Sequence, residues 1–142
     1  MTAMESKGPT ESGAIEIMDR EAIRRALQRI SHEILERNPA ATKLIIVGVP
    51  SRGVEIANRL AQIIGEIEKC KIDFGSLDVS MHRDDIALRP TPPQVRTSHL
   101  PYDLSGRIVI LVDDVFFTGR TSRAALDALH SYGRPEMVQL AV

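Results

Sequence analysis

The residues best suited to chemistry lie in one stretch, ILVDDVFFTGRTS, residues 110–122. Two adjacent carboxylates, Asp113 and Asp114, follow an apolar run, and Thr118-Gly119-Arg120-Thr121-Ser122 comes next. Gly119 permits a turn that points successive backbone N–H groups inward, and a helix starting there adds positive potential. Thr118, Thr121 and Ser122 supply hydroxyl donors. Together these make a nest for a phosphate monoester. Two carboxylates beside that nest would repel the phosphate itself. They suit hydroxyls a few ångströms away, as on a ribose, or a hydrated Mg²⁺. Taken singly, the acid pair reads as a solvated loop and the Thr-Gly-Arg-Thr run as a helix cap; their order after a buried strand points to a site. No Gly-Lys-Ser/Thr and no GxGxxG occurs, which disfavours a Walker-type nucleoside triphosphatase.

The elements that must position these groups alternate in type. Asp19 is a helix N-cap, with a helix from Arg20 to about Asn38 whose Ile23, Ala26, Leu27, Ile30 and Ile34 form one apolar stripe. Lys43–Val49 is apolar almost throughout, the mark of a strand buried on both faces. Pro50-Ser51-Arg52-Gly53 leads into a second helix, about Val54–Ile64. Taken alone, Ser51-Arg52-Gly53 is a plain strand-to-helix turn. A strand is expected over Lys71–Ser80, a second fully apolar one over Arg107–Val112, and a helix over Thr121–Tyr132 with Gly133 as its C-cap. Met137 to Val142 reads as a further buried strand on which the chain stops. Between them, residues 81–101 carry Pro90, Pro92, Pro93 and Pro101 and no apolar periodicity, as in a functional lid or a disordered segment. This alternation predicts an α/β fold: a mainly parallel, twisted sheet flanked by helices.

Composition bounds the rest. A chain of 142 residues, 43% hydrophobic, suits one globular domain. Residues 1–13 hold almost nothing to bury and are expected to form a disordered tail, leaving 14–142 as the domain. With 18 Lys+Arg against 19 Asp+Glu, a histone-like polycation is excluded. Cys70 alone forms no intrachain disulfide, which fits a reducing cytoplasm. No apolar run approaches a membrane span, and the start is too polar for a signal peptide.

VILVDDVFFTGRTSRAALDAL resembles the 5-phosphoribosyl 1-diphosphate (PRPP) signature of the type I phosphoribosyltransferases. Residues 19–142 more narrowly resemble the bacterial pyrimidine-operon attenuation regulators, which are also uracil phosphoribosyltransferases. The pieces that carry this are Ala22–Leu27 with His32-Glu33, Val47-Gly48 with Ser51-Arg52-Gly53, Arg83-Asp84-Asp85, and Gly133-Arg134-Pro135 with residues 139–142.

The resemblance implies roles. Asp113 and Asp114 would hold the ribose 2- and 3-hydroxyls. Val115, Phe116, Phe117, Thr118, Gly119, Arg120, Thr121 and Ser122 would surround the 5-phosphate. Ser51, Arg52 and Gly53 would bind the diphosphate through backbone amides, and residues 81–101 would be a flexible hood bringing Arg83 to the same group. Mg²⁺ would be held mainly through substrate oxygens. His82 stands where relatives more often have an aromatic, and Phe117 where tyrosine is common. Arg89 and Arg96 are expected to be solvated.

Arg25, Gln28, Arg29 and His32 fall at i, i+3, i+4 and i+7 on the first helix, opposite its apolar stripe, with Glu21 and Glu36 on the same face. By composition this is a solvated helix face. The resemblance implies a surface for a pyrimidine-operon leader mRNA, bound when uridine nucleotides (UMP, UTP) are bound. Three Phe and two Tyr leave little for base stacking. The expected protein is a cytoplasmic homo-oligomer with PRPP and uracil as substrates. Its rivals are a salvage phosphoribosyltransferase for another base without an RNA role, and a non-catalytic PRPP or nucleotide sensor. Relatives continue past residue 142 into the segment that cups the uracil. The C-terminal part of the domain is therefore expected to be missing, leaving weak PRPP binding and little uracil transfer.

Overall fold

The computed structural model describes residues 13–79, 100, 103–116 and 118–142. The tail expected over residues 1–13 lies outside the described residues except for Gly13, and so does all of the expected hood except Leu100.

Helix α1 (Arg20–Arg37) opens as predicted, with the Asp19 carboxylate accepting from the Ala22 N–H at 2.7 Å. It closes at Asn38, whose N–H donates to the carbonyls of Ile34 and Leu35. Strand β1 (Leu44–Gly48), helix α2 (Arg52–Glu68), strands β2 (Asp73–Ser76) and β3 (Ile108–Val112), helix α3 (Arg120–Leu129) and strand β4 (Met137–Ala141) follow. The strands form one sheet in the order β2-β1-β3-β4, and every pairing is parallel.

The apolar runs of β1 and β3 are explained by two separate cores, one on each face of the sheet. Successive strand side chains point to opposite faces. Leu44, Ile46, Ile108, Ile110 and Val112 face Leu27, Ile34, Ala57, Leu60 and Ile64 of α1 and α2. Ile45, Val47, Val109 and Leu111 face Ala124, Ala125, Ala128 and Leu129 of α3. Leu100 is buried in the second core.

At the N-terminal edge of the sheet, Arg107 clamps three strands. Its Nε donates to the Lys43 carbonyl at 3.1 Å, and its Nη2 to the Leu44 carbonyl at 2.9 Å and to Asp73 Oδ2 at 2.8 Å. One planar guanidinium thus satisfies acceptors that a lysine could not reach together.

Four expectations need correction. Ile23 is 39% exposed, because the stripe that enters the core shifts toward Leu27, Ser31 and Ile34 along α1. Helix α2 is longer than Val54–Ile64: it starts on the diphosphate-turn residue Arg52 and runs past Gly65 to a left-handed cap at Lys69. Strand β2 covers only Asp73–Ser76 of the expected Lys71–Ser80. Strand β4 forms and pairs with β3, yet it is not buried: Met137 and Leu140 are 47% and 43% exposed. It is an edge strand, with a neighbour on only one side among the described residues.

Candidate active site

The order in which strands are laid down reverses between β1 and β3, which run parallel. From β1 the chain moves to one side to form β2, then crosses to the other for β3 and β4. In open parallel sheets, ligands bind outside the carboxyl ends of the strands at such a switch point. The residues that follow these two carboxyl ends are Pro50-Ser51-Arg52-Gly53 and Asp113-Asp114.

Two glycines bring the turn onto the acid-bearing strand. A Cβ on Gly48 would lie 2.5 Å from the Val54 Cα, and one on Gly53 would lie 2.5 Å from the Val112 carbonyl oxygen. The first turn of α2 therefore rests directly on the ends of β1 and β3, an approach that no other residue type permits without backbone movement. The Pro50–Ser51 peptide bond is cis.

Asp113 is held by backbone on one side and by its own side chain on the other. Its N–H donates to the Ala141 carbonyl of β4 at 3.1 Å, and its Oδ1 accepts from the Asp114 N–H at 2.9 Å. Asp114 Oδ1 accepts in turn from the Val115 N–H at 2.9 Å. These local bonds set the direction of both carboxylates. Asp113 is half-buried and Asp114 exposed.

The nest takes shape after them. Gly119 has φ +80° and sits at the N-cap of α3, and its carbonyl accepts from the Arg123 N–H at 2.9 Å. Thr118 Oγ1 accepts from the Arg120 N–H at 3.3 Å. The N-cap of α3 is Gly119, which carries no side chain, so unlike Asp19 at α1 it makes no side-chain cap bond of its own. A cavity of about 120 Å³, lined by Val115, Phe116 and residues 118–122, covers its first turn. The Phe116 ring lies against Gly119, 3.4 Å from where a Cβ would be.

Of the expected site residues, the structure brings Gly53 of the Ser51–Gly53 turn against Val112 and Asp113, and Val115, Phe116 and residues 118–122 line one cavity. Arg83 and Phe117 lie outside the described residues, as do His82, Arg89 and Arg96. No group of three or more His, Cys, Asp or Glu is clustered for a metal ion among the described residues. The acid pair beside backbone amides nevertheless offers the hard oxygen donors that suit Mg²⁺ shared with a phosphorylated substrate.

The row on α1 lies away from the core. Arg25, Gln28, Arg29 and His32 are all exposed. Arg24, beside the expected row, ties this face together. Its Nε donates to Glu21 Oε2 at 3.0 Å and its Nη1 to Gln28 Oε1 at 3.2 Å. The hydrogen bond from Arg24 holds the Glu21 carboxyl below its usual range and so keeps it charged, and the Arg24 cation paired with it offsets that charge. The i, i+3 spacing of Glu21 and Arg24 was a legible signal for this pair.

Residues 14–142 match the phosphoribosyl transferase domain model. The chain belongs to the phosphoribosyltransferase family. Within it, the chain is similar to the bifunctional protein PyrR of Roseiflexus sp., at 48% identity over 130 residues, covering 92% of this chain and 71% of that protein. The bifunctional protein PyrR of Brevibacillus brevis is 53% identical over 126 residues, covering 89% and 70%. This phosphoribosyltransferase chain is therefore of the PyrR type. In fold it is similar to a hypoxanthine-guanine phosphoribosyltransferase of Bacillus anthracis, with a TM-score of 0.70 at 13% identity, covering 90% of this chain and 71% of that one. A purine phosphoribosyltransferase of Pyrococcus horikoshii gives 0.64 at 23% identity, covering 87% and 72%. No helix among the described residues is long and apolar enough to cross a membrane.

Proposed function

We propose that this chain carries the PRPP site of a uracil phosphoribosyltransferase that also regulates pyrimidine-operon transcription by binding leader mRNA. The observation that carries the enzymatic half is the packing of Gly53, in the Ser51–Gly53 turn, against Val112 and Asp113 at the switch point, with the Gly119 turn opening α3 a few residues on. Those three parts answer to the three parts of PRPP. The amides around Thr118 to Ser122 anchor the 5-phosphate. Asp113 and Asp114 accept from the ribose hydroxyls and orient the ring. The backbone of residues 51–53 faces the diphosphate, the group to which Arg83, outside the described residues, is assigned by its place in the sequence.

Displacement of diphosphate by uracil proceeds through an oxocarbenium-like transition state, with negative charge developing on the leaving group. No side chain has to act as nucleophile; positioning and preorganised donors supply the acceleration. Mg²⁺ bound with PRPP neutralises part of the diphosphate charge. The fit of an acid pair to ribose rather than to phosphate keeps the anionic and hydroxyl ends of the substrate in one orientation.

The regulatory half rests on the PyrR-type relatives and on the exposed Arg25, Gln28, Arg29 and His32 of α1, which would contact RNA phosphates in the cytoplasm. UMP formation from uracil and PRPP with Mg²⁺ tests the enzyme, and filter binding to a pyrimidine-leader hairpin with and without UMP tests the regulator. Turnover of hypoxanthine but not uracil, or RNA binding indifferent to UMP, would replace this reading with that of a salvage enzyme.

A further inference from the structure

Asn38 and Gln139 stand 101 residues apart, yet their side-chain amides pair reciprocally. Asn38 Nδ2 donates to Gln139 Oε1 at 2.8 Å, and Gln139 Nε2 donates to Asn38 Oδ1 at 3.1 Å. Asn38 Nδ2 also donates to the Ile34 carbonyl at 2.8 Å, so the residue that ends α1 is committed at every polar side-chain atom. It is 3% exposed. Elsewhere α1 and β4 are separated by an open groove of about 390 Å³, in which Ile30, Ile34, Gln139 and Leu140 take part. Beside the groove, the amide pair bridges helix and strand.

What the pair holds matters because β4, whose Met137 and Leu140 side chains are half-exposed, reaches the backbone of Asp113. Two residues beyond Gln139, the Ala141 carbonyl accepts the Asp113 N–H at 3.1 Å, which extends the β3–β4 ladder into the candidate ribose site. Asp113 is therefore placed in part by a strand that the Asn38–Gln139 pair ties to α1. We infer that Asn38 and Gln139 are positioning residues for ribose recognition, acting through β4 on the backbone of Asp113; the functional half of this inference rests on the reading of Asp113 as a ribose ligand.

The full chain carrying Gln139→Leu, which keeps bulk and removes both amide bonds, tests it. In the ligand-free protein, hydrogen exchange of the Asp113 amide should accelerate about tenfold, while amides of central β1 keep their protection. Affinity for ribose 5-phosphate should fall about tenfold, and affinity for inorganic phosphate at the α3 nest should hold. Gln139→Glu keeps an acceptor for Asn38 Nδ2 and should fall between. Arg107→Met, a destabilising change at the opposite end of the sheet, should leave the Asp113 amide protected relative to its neighbours. Unchanged Asp113 exchange in Gln139→Leu, or a loss of protection spread evenly over the sheet, overturns the inference, and so does faster exchange with undiminished ribose 5-phosphate affinity. Failure of the unaltered chain to bind ribose 5-phosphate overturns the functional reading instead, with the exchange measurement still deciding what places Asp113.

Discussion

Asp113 and Asp114 owe their geometry to bonds that span one residue each: every carboxylate accepts the N–H of its successor. Their identity was legible in the sequence because acidic residues after an apolar strand stand at the ligand-binding edge of a parallel sheet. Exchanging Asp114 for Asn keeps shape and removes charge. Because a hydrogen bond to an ionised acceptor contributes about 1.5–3 kcal/mol, Asp114→Asn should weaken PRPP about 10- to 100-fold in titration calorimetry. Inorganic phosphate should not weaken with it, since the lost charge repelled phosphate. A second carboxylate, Asp103, carries a pH prediction. The Ser105 N–H and then the Ser105 hydroxyl, at 3.0 and 2.8 Å, hold it below the usual aspartate range. A folded-state value below the unfolded one means that its contribution to stability is present above the unfolded value and is lost as pH falls through the folded value. Carbon-13 titration of Asp103 should show a depressed midpoint, and Ser105→Ala should raise it partway, because the backbone donor remains.

At the scale of elements, the decisive contact is backbone against backbone. The start of α2 meets the end of β3 at Gly53, where any side chain would strike the Val112 carbonyl. Gly53→Ala must therefore push α2 off the sheet, with a cost of about 1–3 kcal/mol in urea unfolding and a parallel loss of PRPP affinity. A variant that kept both would show that the turn and the acids need not touch. The helix itself was legible from the apolar spacing of α2, but its start was placed two residues late. Arg52 and Gly53 look like loop residues until the strand beneath them is known. The hydrophobic pattern also overstated two places. Ile23 lies at helical spacing with Leu27, and Leu140 lies in an apolar run, yet both are substantially exposed. Spacing identifies a face and says nothing about whether another element covers it.

For the molecule as a whole, the proposed ribose site and the basic row occupy different parts of the fold, the first at the sheet's carboxyl edge and the second on the exposed face of α1. Arg25 and Arg29 are exposed and make no ion pair among the described residues, so both are available to phosphates. Replacing both by alanine should weaken leader-RNA binding across related sequences and flatten the plot of log affinity against log salt by about one unit for each lost phosphate contact. Folding stability should hardly change, since neither side chain is buried. An unchanged salt slope would move the RNA surface elsewhere on the molecule.

Much of this protein was determined locally, and those features could be read without coordinates. The Asp19 cap, the helical stripe of α1, the doubly apolar strands β1 and β3, and the acid–acid–nest order each depend on residues a few positions apart. Periodicity, capping and turn chemistry act over that range. Only the tertiary structure decided which strands became neighbours, and with that the meeting of residues 51–53 with Asp113. It also decided that Met137 and Leu140 of β4 stay half-exposed, that Arg107 spans three strands, and that Asn38 finds Gln139. These outcomes depend on which faces pack together and on how closely two backbones can approach. Such approaches join residues far apart in the chain, and no local pattern records them.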